Sequence, residues 1–292
     1  MDIGPLFVGV GYFLLVALGC VHFVLFLPLH TASSSRATWS GVHYGVSMLL
    51  MAQLLLQYSL AVWSNPGYVT FIPATRAPAT DAAYDGDTCK KCAHVKPERA
   101  HHCRVCRTCV LEMDHHCPWI NNCVGLYNYR FFWLLLMYLW ISCMYASSIS
   151  WEPFRHVLHT QRLKYYNRNS SNVFAQDLAQ RLQNVLILFS FLVTSTLGVV
   201  LFGYWTWHFY LVFSQQTTIE FAIRRSRSKE KRHGAAFGAS QLCGRRQSLL
   251  RNFQRMLGRH DTWWFIALVL PLPQRDFASS REAGASDALE SV

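Results

Sequence analysis

The sequence predicts an all-α polytopic membrane protein, with four transmembrane helices and a cysteine-rich domain between helices 2 and 3. Hydrophobic residues make up 52% of the 292 residues, and they are concentrated in four long blocks. Seven of the ten cysteines fall between Cys89 and Cys123, in a polar segment that separates the second block from the third. Core helices of soluble proteins are usually shorter and interrupted by charge, so these blocks favour membrane spans.

Two apolar blocks precede the cysteine-rich segment, and each is long enough to cross about 30 Å of hydrocarbon. The first is Gly4–Leu29 and the second is Gly41–Trp63. In the second block, Gln53 and Gln57 lie one helical turn apart, so we expect their amides to face other helices. The turn sequence Asn65-Pro66-Gly67 then ends this helix.

Two further apolar blocks follow the cysteine-rich segment. Phe131–Ile149 is predicted as the third span, and Asn184–Phe213 as the fourth, which is long enough to tilt. The predicted division of the chain is 1–64 for the first helix pair, 65–88 for a cytosolic linker, 89–130 for the cysteine-rich domain, 131–213 for the second helix pair with a polar loop at 151–183, and 214–292 for the tail.

The tail is predicted to lie along the membrane surface. Ile223–His233 is heavily basic and follows the fourth span directly. Apolar residues at 249, 250, 253, 256 and 257 recur at helical spacing among arginines, which predicts a cationic amphipathic helix on the bilayer or against the cysteine-rich domain. The stretch Thr262–Pro273 is too short to span and is expected at the interface. From Gln274 onward the chain is expected to be disordered.

Lysine and arginine predict the orientation of the spans, because cytoplasmic loops carry an excess of these residues. An even number of spans places the cysteine-rich segment and the tail on one side, and that side holds 21 of the 27 Lys and Arg residues. The cysteine-rich domain and both termini are therefore predicted to be cytosolic, and the loop 151–183 lumenal. In that loop, Asn169-Ser170-Ser171 has the N-glycosylation pattern.

The cysteines have the spacing of zinc ligands. Structural zinc is held by four Cys or His side chains, often supplied in Cys-x2-Cys pairs. Cys89/Cys92 and Cys103/Cys106 are such pairs, and Cys109 repeats the spacing. In the cytosol thiols stay reduced, so this pattern indicates metal binding more than disulfides. Two zinc ions that each take three cysteines and one histidine would use six cysteines and leave one.

The neighbours of Cys117 suggest that it is the cysteine left over. It directly follows Asp114-His115-His116, so a thiol, an imidazole and a carboxylate lie within four residues. A base that takes the thiol proton and a carboxylate that orients the base are the parts of an activated nucleophile. The alternative is a zinc-finger-like module in which all seven cysteines are ligands and no catalysis occurs. A nucleic-acid-binding finger is disfavoured, because the segment is tethered between membrane spans.

These residues belong to a longer motif. Its positions are Cys89, Cys92, Lys96-Pro97, Arg99, His102-Cys103, Cys106, Cys109, Asp114-His115-His116-Cys117-Pro118-Trp119, Asn122-Cys123, Gly125, Asn128 and Phe131-Phe132. Thr217-Thr218-Ile219-Glu220 follows the fourth span, and Asn252, Leu257 and Gly258 lie in the tail. The whole pattern closely resembles the DHHC-type protein S-acyltransferases, or palmitoyltransferases. One departure is Asn65-Pro66-Gly67, where that family commonly has Asp-Pro-Gly.

The resemblance implies two interleaved zinc sites and a catalytic group. Cys117 would be the acylated nucleophile, His115 the base and Asp114 the residue that orients the base. Thr218 would hydrogen-bond near Asp114, and Asn252 would support the site. The zinc ligands would be Cys89, Cys92, His102 and Cys109 for one ion, and Cys103, Cys106, His116 and Cys123 for the other.

The implied reaction is transfer of a long-chain acyl group, typically palmitoyl, from acyl-CoA to a cysteine of a protein substrate. Each buried CH2 contributes about 0.8 kcal/mol, so the acyl chain is expected to partition into a cavity among the spans. Trp119 would pack on the chain, and Phe132, Leu135 and Ser142 are candidates to line the cavity. The small Ser142 would leave room for longer chains, or it simply packs helices.

Cations near the active site are candidates to bind the phosphates of CoA. They are Lys96, Arg99 and His101, and each also fits a solvated basic face. Cys243, beside the basic helix of the tail, is a candidate for acylation of the protein itself.

The family implies an integral multi-pass protein of the ER or Golgi. Its partners would be acyl-CoA, the lipid bilayer and membrane-associated proteins with cytosolic cysteines, with no nucleic acid. Two other classes remain open: a membrane-tethered zinc scaffold without activity, and a transporter or channel. The predicted spans contain no Asp, Glu, Lys or Arg in their interiors, which argues against ion or proton transport.

Overall fold

The computed structural model describes residues 3–31, 38–69, 88–166, 174–232, 249–257 and 264–270. In these ranges the protein is mostly helical, with short strands in the cysteine-rich segment. The elements are α1 (Gly4–Val21), a π-helical turn (His22–Phe26), α2 (Leu27–Thr31), α3 (Ser40–Trp63), β1 (His101–Cys103), β2 (Thr108–Val110), β3 (His115–Cys117), a 3-10 turn (Pro118–Ile120), β4 (Asn122–Val124), α4 (Tyr129–Tyr166), α5 (Phe174–Ser214), α6 (Thr218–Arg232), α7 (Leu249–Leu257) and a 3-10 turn (Trp264–Leu268).

Four helical stretches are long and apolar enough to cross a membrane. They are Gly4–Thr31, Ser40–Trp63, Tyr129–Thr160 and Gln180–Ser214, with mean hydropathies of 2.4, 1.6, 1.6 and 2.5. Each coincides with one of the predicted apolar blocks, so the predicted helices are confirmed. The sequon at Asn169, Cys243, Gly258, the segment from Gln274 onward and most of the linker lie outside the described residues.

The polar segment 151–183 differs from the predicted loop. The helix α4 continues to Tyr166 with Pro153 inside it, and α5 already begins at Phe174. The prediction placed the helix ends where the apolar sequence ends. A helix makes its own backbone hydrogen bonds, however, and continues beyond the apolar stretch where good helix formers such as Leu, Arg and Gln follow.

The chain forms two compact units, each built from segments distant in sequence. The helical unit comprises Met1–Trp63, Cys117–Asn121 and Phe131–Trp207, and the cysteine-rich unit comprises Ser64–His116, Asn122–Arg130 and His208–Val292.

Close packing joins α1 to α3 in the helical unit. A Cβ at Gly11 would overlap the Tyr58 hydroxyl, so a larger residue there would require the Tyr58 side chain to shift. The Tyr12 hydroxyl also hydrogen-bonds the Ser59 hydroxyl at 2.8 Å. Small residues and interhelical hydrogen bonds are the usual means of helix association in membranes, where lipid competes equally well for apolar surface.

Hydroxyl groups and indole rings join α4 to α5. The Ser147 hydroxyl donates to Thr194 Oγ1 at 3.0 Å, and the Ser195 hydroxyl donates to Ser147 Oγ at 3.2 Å. Nearby, the rings of Trp140 and Trp205 stack with centroids 5.4 Å apart. These contacts fix the register of the two long helices.

A π-helical turn interrupts the first span just before Pro28. The Leu27 N–H bonds the His22 carbonyl, five residues back. Proline lacks an N–H, and in a regular α-helix its ring clashes with the carbonyl four residues earlier. The widened turn accommodates Pro28 without ending the helix.

Two small sheets lie in the cysteine-rich segment, and the first is antiparallel. β1 pairs with β2 so that His102 lies opposite Cys109 and Cys103 opposite Thr108. β3 and β4 form a second two-stranded sheet.

The turn at Asn65-Pro66-Gly67 begins this unit. The Asn65 side-chain oxygen accepts from the backbone N–H of Gly67 at 2.8 Å and of Tyr68 at 3.0 Å. A Cβ at Gly125 would lie 2.5 Å from the Pro66 carbonyl oxygen, which explains the glycine in the motif. The amide of Asn65 therefore supplies the acceptor needed by the turn, although the family commonly has Asp there.

Candidate active site

The first ligand cluster combines both strands of the β1–β2 hairpin with the preceding loop. Nδ1 of His102 lies 3.6 Å from Cys89 Sγ, 3.2 Å from Cys92 Sγ and 4.0 Å from Cys109 Sγ. The hairpin register explains part of this arrangement, because His102 and Cys109 are directly opposite. Ala93 adopts a left-handed backbone (φ 54°) next to Cys92, so the Cys-x2-Cys loop turns back sharply.

The second cluster lies in the same unit. Nδ1 of His116 is 3.8 Å from Cys103 Sγ, 3.4 Å from Cys106 Sγ and 3.6 Å from Cys123 Sγ. His116 is on β3 and Cys123 on β4, so the second small sheet supplies two of the four groups.

Both clusters fit zinc. Zn–S bonds of about 2.3 Å and Zn–N bonds of about 2.1 Å place tetrahedral ligands roughly 3.8 Å (S to S) and roughly 3.6 Å (S to N) apart. In the structure the S–N separations lie between 3.2 and 4.0 Å, and Cys92–Cys109 and Cys106–Cys123 are 3.9 and 3.5 Å apart. Each set of four ligand atoms lies within 4.8 Å, in the grouping that the resemblance implied. Each set can therefore hold a metal ion.

A buried carboxylate orients an imidazole beside the second cluster. The Asp114 side chain is fully buried, and its Oδ2 lies 2.8 Å from Nδ1 of His115. The backbone N–H of Thr218 donates to Asp114 Oδ1 at 2.7 Å, and the Thr218 hydroxyl donates to Oδ2 at 2.8 Å. Burial alone would raise the pKa of Asp114, but these bonds from His115 and Thr218 hold the pKa below its usual value. Asp114 therefore carries its negative charge at neutral pH.

The Thr-Thr-x-Glu motif is a helix capping box. Thr217 precedes the first residue of α6, and its Oγ1 accepts from the Glu220 N–H at 3.3 Å. The Glu220 carboxylate accepts in return from the Thr217 N–H at 2.9 Å. This reciprocal pair satisfies two N–H groups at the helix start. It also aims the next residue, Thr218, at Asp114, whose negative charge is favourable at a helix N-terminus.

Cys117 belongs to the helical unit and is buried there. It precedes the 3-10 turn Pro118–Ile120, which packs against the beginning of α1 and the end of α3. The Trp119 carbonyl accepts from the Tyr58 hydroxyl at 2.8 Å, and the rings of Trp119 and Phe7 meet edge to face at 5.6 Å. Cys117 is a member of neither ligand cluster.

An apolar cavity of about 130 Å³ lies among the helices of the helical unit. Ser142 borders it, opposite residues of α1 and α3 such as Leu15 and Met51, and the Ser142 hydroxyl is buried without a partner among the described residues. Phe132 and Leu135 are buried but do not border this cavity in the described part of the chain, and Phe132 packs edge to face on Tyr204 instead. Of the three predicted lining residues, Ser142 alone borders this cavity among the described residues.

The three predicted CoA-binding cations have different environments. Arg99 is largely committed to protein partners, because its Nε and Nη2 bind Glu220 at 2.6 and 3.0 Å. Burial would lower the pKa of Arg99, but Glu220 and then Glu112 raise it. Burial lowers the pKa of His101, and the charge of Lys96 lowers it further, so these two side chains are close enough to interact.

Asn252 connects α7 to the end of α5. Its side-chain N–H donates to the Phe213 carbonyl at 2.9 Å, and its Oδ1 accepts from the Gln215 side chain. Phe213 is in the last turn of α5, where carbonyls have no partner within the helix. Asn252 therefore ties the tail helix to the end of α5, and its supporting role remains a prediction.

Sequence reasoning missed His208. This residue is buried near the end of α5, with Nδ1 3.0 Å from the Tyr129 hydroxyl and its ring centroid 6.2 Å from that of His115. Its only sequence signal is an imidazole in an otherwise apolar block, which resembles an ordinary helix contact.

The fold and site define a class: helical proteins with four candidate membrane spans, two Cys/His metal-binding clusters and a carboxylate–imidazole pair. A sequence model described as DHHC palmitoyltransferase matches residues 83–225. Probable protein S-acyltransferase 16 of Arabidopsis thaliana is 32% identical over 230 residues, which cover 73% of this chain and 74% of the relative. The chain belongs to the DHHC palmitoyltransferase family.

Two other relatives are matched by this chain over only part of their length. Palmitoyltransferase ZDHHC16 of Mus musculus is 31% identical over 252 residues, covering 85% of this chain and 64% of the relative. Palmitoyltransferase pfa3 of Neurospora crassa is 36% identical over 205 residues, covering 65% of this chain and 30% of the relative. The chain therefore spans less than two thirds of the length of these two proteins.

Proposed function

We propose that this chain is a protein S-acyltransferase, which moves a long-chain acyl group, typically palmitoyl, from acyl-CoA to cysteines of membrane-associated proteins. The observation that carries the proposal is the buried Asp114–His115 pair, two residues before a cysteine that is in neither metal cluster. Membership of the DHHC palmitoyltransferase family supports it.

The reaction has two displacement steps at Cys117. In the first, its thiolate sulfur forms a bond to the thioester carbonyl carbon, and the bond from that carbon to the CoA sulfur breaks. In the second, the thiolate of a substrate cysteine attacks the acyl-enzyme and Cys117 leaves. Because Nδ1 of His115 faces Asp114, Nε2 is the atom left to exchange protons. It takes the proton of the attacking thiol and returns it to the leaving sulfur in each step.

The two clusters would each hold a structural zinc ion. The first set is Cys89, Cys92, His102 and Cys109, and the second is Cys103, Cys106, His116 and Cys123. Four protein ligands leave no open position for substrate, so zinc would fix the fold around the reacting residues. In the second set, His116 lies between His115 and Cys117, and its ligation would hold the backbone between base and nucleophile.

The acyl chain would lie among the membrane helices, with Trp119 at its thioester end. The cavity bordered by Ser142 supports this placement, because its walls are almost entirely apolar. The CoA phosphates would bind cations of the cysteine-rich domain. Lys96 is a better candidate than Arg99, whose donors are largely occupied by Glu220. His101, whose pKa is lowered, would contribute a hydrogen bond from a neutral ring.

The cysteine-rich domain lies between the second and third spans in this proposal, with the active site and both termini in the cytosol. The excess of Lys and Arg in the cysteine-rich segment and the tail supports this orientation. An ER or Golgi membrane, where membrane-associated proteins with cytosolic cysteines are accessible, is the proposed location.

Incubation of the purified protein with radiolabelled palmitoyl-CoA tests the function. We expect a hydroxylamine-sensitive thioester on the wild type and none on Cys117→Ser. Cys20→Ser, which alters an exposed cysteine of α1 outside both clusters, is the matched control and should label like the wild type. Label retained on Cys117→Ser at wild-type level would contradict the proposal and favour the zinc scaffold.

A further inference from the structure

Glu112 joins two arginines that are far apart in the sequence. Its Oε1 accepts from Nη1 of Arg99 at 2.8 Å and from Nη2 of Arg255 at 2.6 Å. Arg255 lies on α7, and Glu112 lies two residues before Asp114. One carboxylate therefore ties the tail helix to the segment that carries the oriented imidazole.

Arg99 extends this connection to the capping box. Its Nε and Nη2 bind both oxygens of Glu220, and Nη2 also donates to the Gln215 carbonyl at 3.3 Å. Bidentate arginine–carboxylate pairs are among the strongest and most directional contacts in proteins. Through Glu220, this pair fixes the first turn of α6, the turn from which Thr218 reaches Asp114.

The backbone is left-handed at several of these positions. Arg99, Glu112 and Gln215 have φ values of 61°, 42° and 51°, and they are three of the six non-glycine residues with positive φ in the described ranges. Such conformations are costly for residues with a Cβ, and they persist where surrounding contacts hold them. The ionic contacts and the unusual backbone thus occur together.

The tail helix has further anchors in the same unit. Asn252 binds the end of α5, and Arg130 donates to the Leu257 carbonyl at 3.3 Å, at the C-terminal end of α7. These contacts place Arg255 in a fixed position relative to Glu112. α7 is therefore anchored near its middle, at Asn252, and at its C-terminal end, at Leu257.

We propose that Glu112 and Arg255 are positioning residues for acyl transfer, and that α7 acts through them to hold the Thr218–Asp114–His115 arrangement. The series of contacts runs from Arg255 through Glu112, Arg99 and Glu220 to Thr217. The next residue along the chain, Thr218, binds Asp114. The inference rests on the proposed function. It adds that the tail helix sets the rate of Cys117 acylation without touching the acyl-CoA.

Single-turnover acylation of Cys117 separates positioning from substrate binding. The variants are Arg255→Ala, Glu112→Gln and the double variant, and Arg104→Ala, an exposed arginine between β1 and β2, is the control. Rates are normalised to protein with bound zinc, which removes misfolded molecules from the comparison. We expect the maximal rate to fall about three- to tenfold in Arg255→Ala, at an unchanged half-saturating acyl-CoA concentration.

The double variant and one further variant, Arg255→Lys, test whether these residues act in series. The double variant should be no slower than Glu112→Gln alone, because both changes break the same series. Arg255→Lys, which keeps a cation within reach of Glu112, should recover most of the rate. A raised half-saturating concentration with an unchanged maximal rate would mean that these residues contact CoA, and unchanged kinetics would mean that they do not act on the site; either result overturns the proposal.

Backbone amide hydrogen exchange tests the proposal independently of enzymatic activity. The Thr218 N–H donates to Asp114, so its exchange rate reports how firmly that bond is held. Arg255→Ala should accelerate exchange in a peptide covering Gln215–Phe221, whereas Arg104→Ala should not. Equal exchange in all proteins would overturn the proposal even if acylation were slow. If the wild type takes up no acyl group, the proposed function fails, and the exchange measurement still decides whether Arg255 holds Thr218.

Discussion

Asp114 has an environment unlike that of an ordinary, solvated carboxylate. It is excluded from solvent, yet three donors from His115 and Thr218 keep it charged. The sign of its effect on stability follows from the lowered pKa. The stabilisation is present above the unfolded-state pKa, near 3.9, and it is lost as the pH falls through the lower folded-state value.

Replacing Asp114 with Asn separates charge from shape. The amide oxygen can still accept from Thr218, but the neutral side chain neither stabilises a protonated His115 nor enforces its tautomer. We expect the acylation rate of Asp114→Asn to fall by a factor on the order of 10³ while the protein still binds metal. The measurement is single-turnover labelling beside metal analysis. A rate within threefold of the wild type would show that His115 does not depend on the carboxylate.

A larger side chain at position 142 tests whether the acyl chain occupies the cavity that Ser142 borders. We expect Ser142→Tyr to reduce labelling by long-chain acyl-CoA more than labelling by chains several carbons shorter, because the ring would occupy the space that Ser142 borders. Ser148→Tyr, an exposed position on the same helix, is the matched control. Competition between acyl-CoA of different lengths gives the ratio directly. An unchanged ratio in Ser142→Tyr would place the acyl chain elsewhere.

At the scale of elements, two consecutive threonines have different tasks. Thr217 caps α6, whereas Thr218 binds Asp114 with both its N–H and its hydroxyl. Sequence alone shows only a repeated threonine. The division arises because one residue lies outside the helix, with its side chain turned back on the helix, and the next lies inside it.

Single changes in these threonines should therefore have distinct effects. Thr217→Ala should lower the free energy of unfolding by about 1 kcal/mol through loss of the cap. Thr218→Val keeps the shape and the N–H but loses the hydroxyl bond, so we expect acylation to slow about tenfold with a smaller change in stability. Thermal denaturation and single-turnover labelling measure the two quantities. Identical profiles for both variants would contradict the division.

The metal clusters are the features on which the whole molecule is expected to depend. The strands of the cysteine-rich segment are only three residues long, and in small modules of this kind metal binding supplies much of the folding free energy. The clusters share no ligand, since each draws on its own three cysteines and one histidine.

Metal analysis of the intact protein tests this separation. We expect two zinc ions per chain, and about one in Cys92→Ser and in Cys106→Ser. Chelation should abolish labelling of Cys117, because the backbone between His115 and Cys117 loses its support at His116. Cys20→Ser, outside both clusters, should keep two ions. A single ion in the wild type would exclude the paired structural sites.

Much of this architecture could be predicted because its signals are local. Four apolar blocks predicted the helices, and Cys-x2-Cys pairs predicted metal binding. The spacing could not show how the ligands interleave, since this depends on the strand register that sets His102 opposite Cys109. It equally could not show the partners of Glu112 or the position of His208, because those contacts join residues far apart in the chain.

The helix ends were the least predictable part of the molecule. Hydrophobicity marks where a membrane ends, whereas backbone hydrogen bonding decides where a helix ends. The two differ wherever helix formers continue into water, as after the apolar part of α4.

The Asn65 turn has a consequence for acidic conditions. An aspartate there would bind the Gly67 and Tyr68 N–H groups more strongly as a carboxylate, and it would weaken as a bound proton cancelled its charge. The carboxamide of Asn65 makes the same two bonds and has no proton to gain in that range. The turn at the start of the cysteine-rich unit therefore keeps its conformation when the pH falls. At neutral pH its two hydrogen bonds are weaker than those that an aspartate carboxylate would accept.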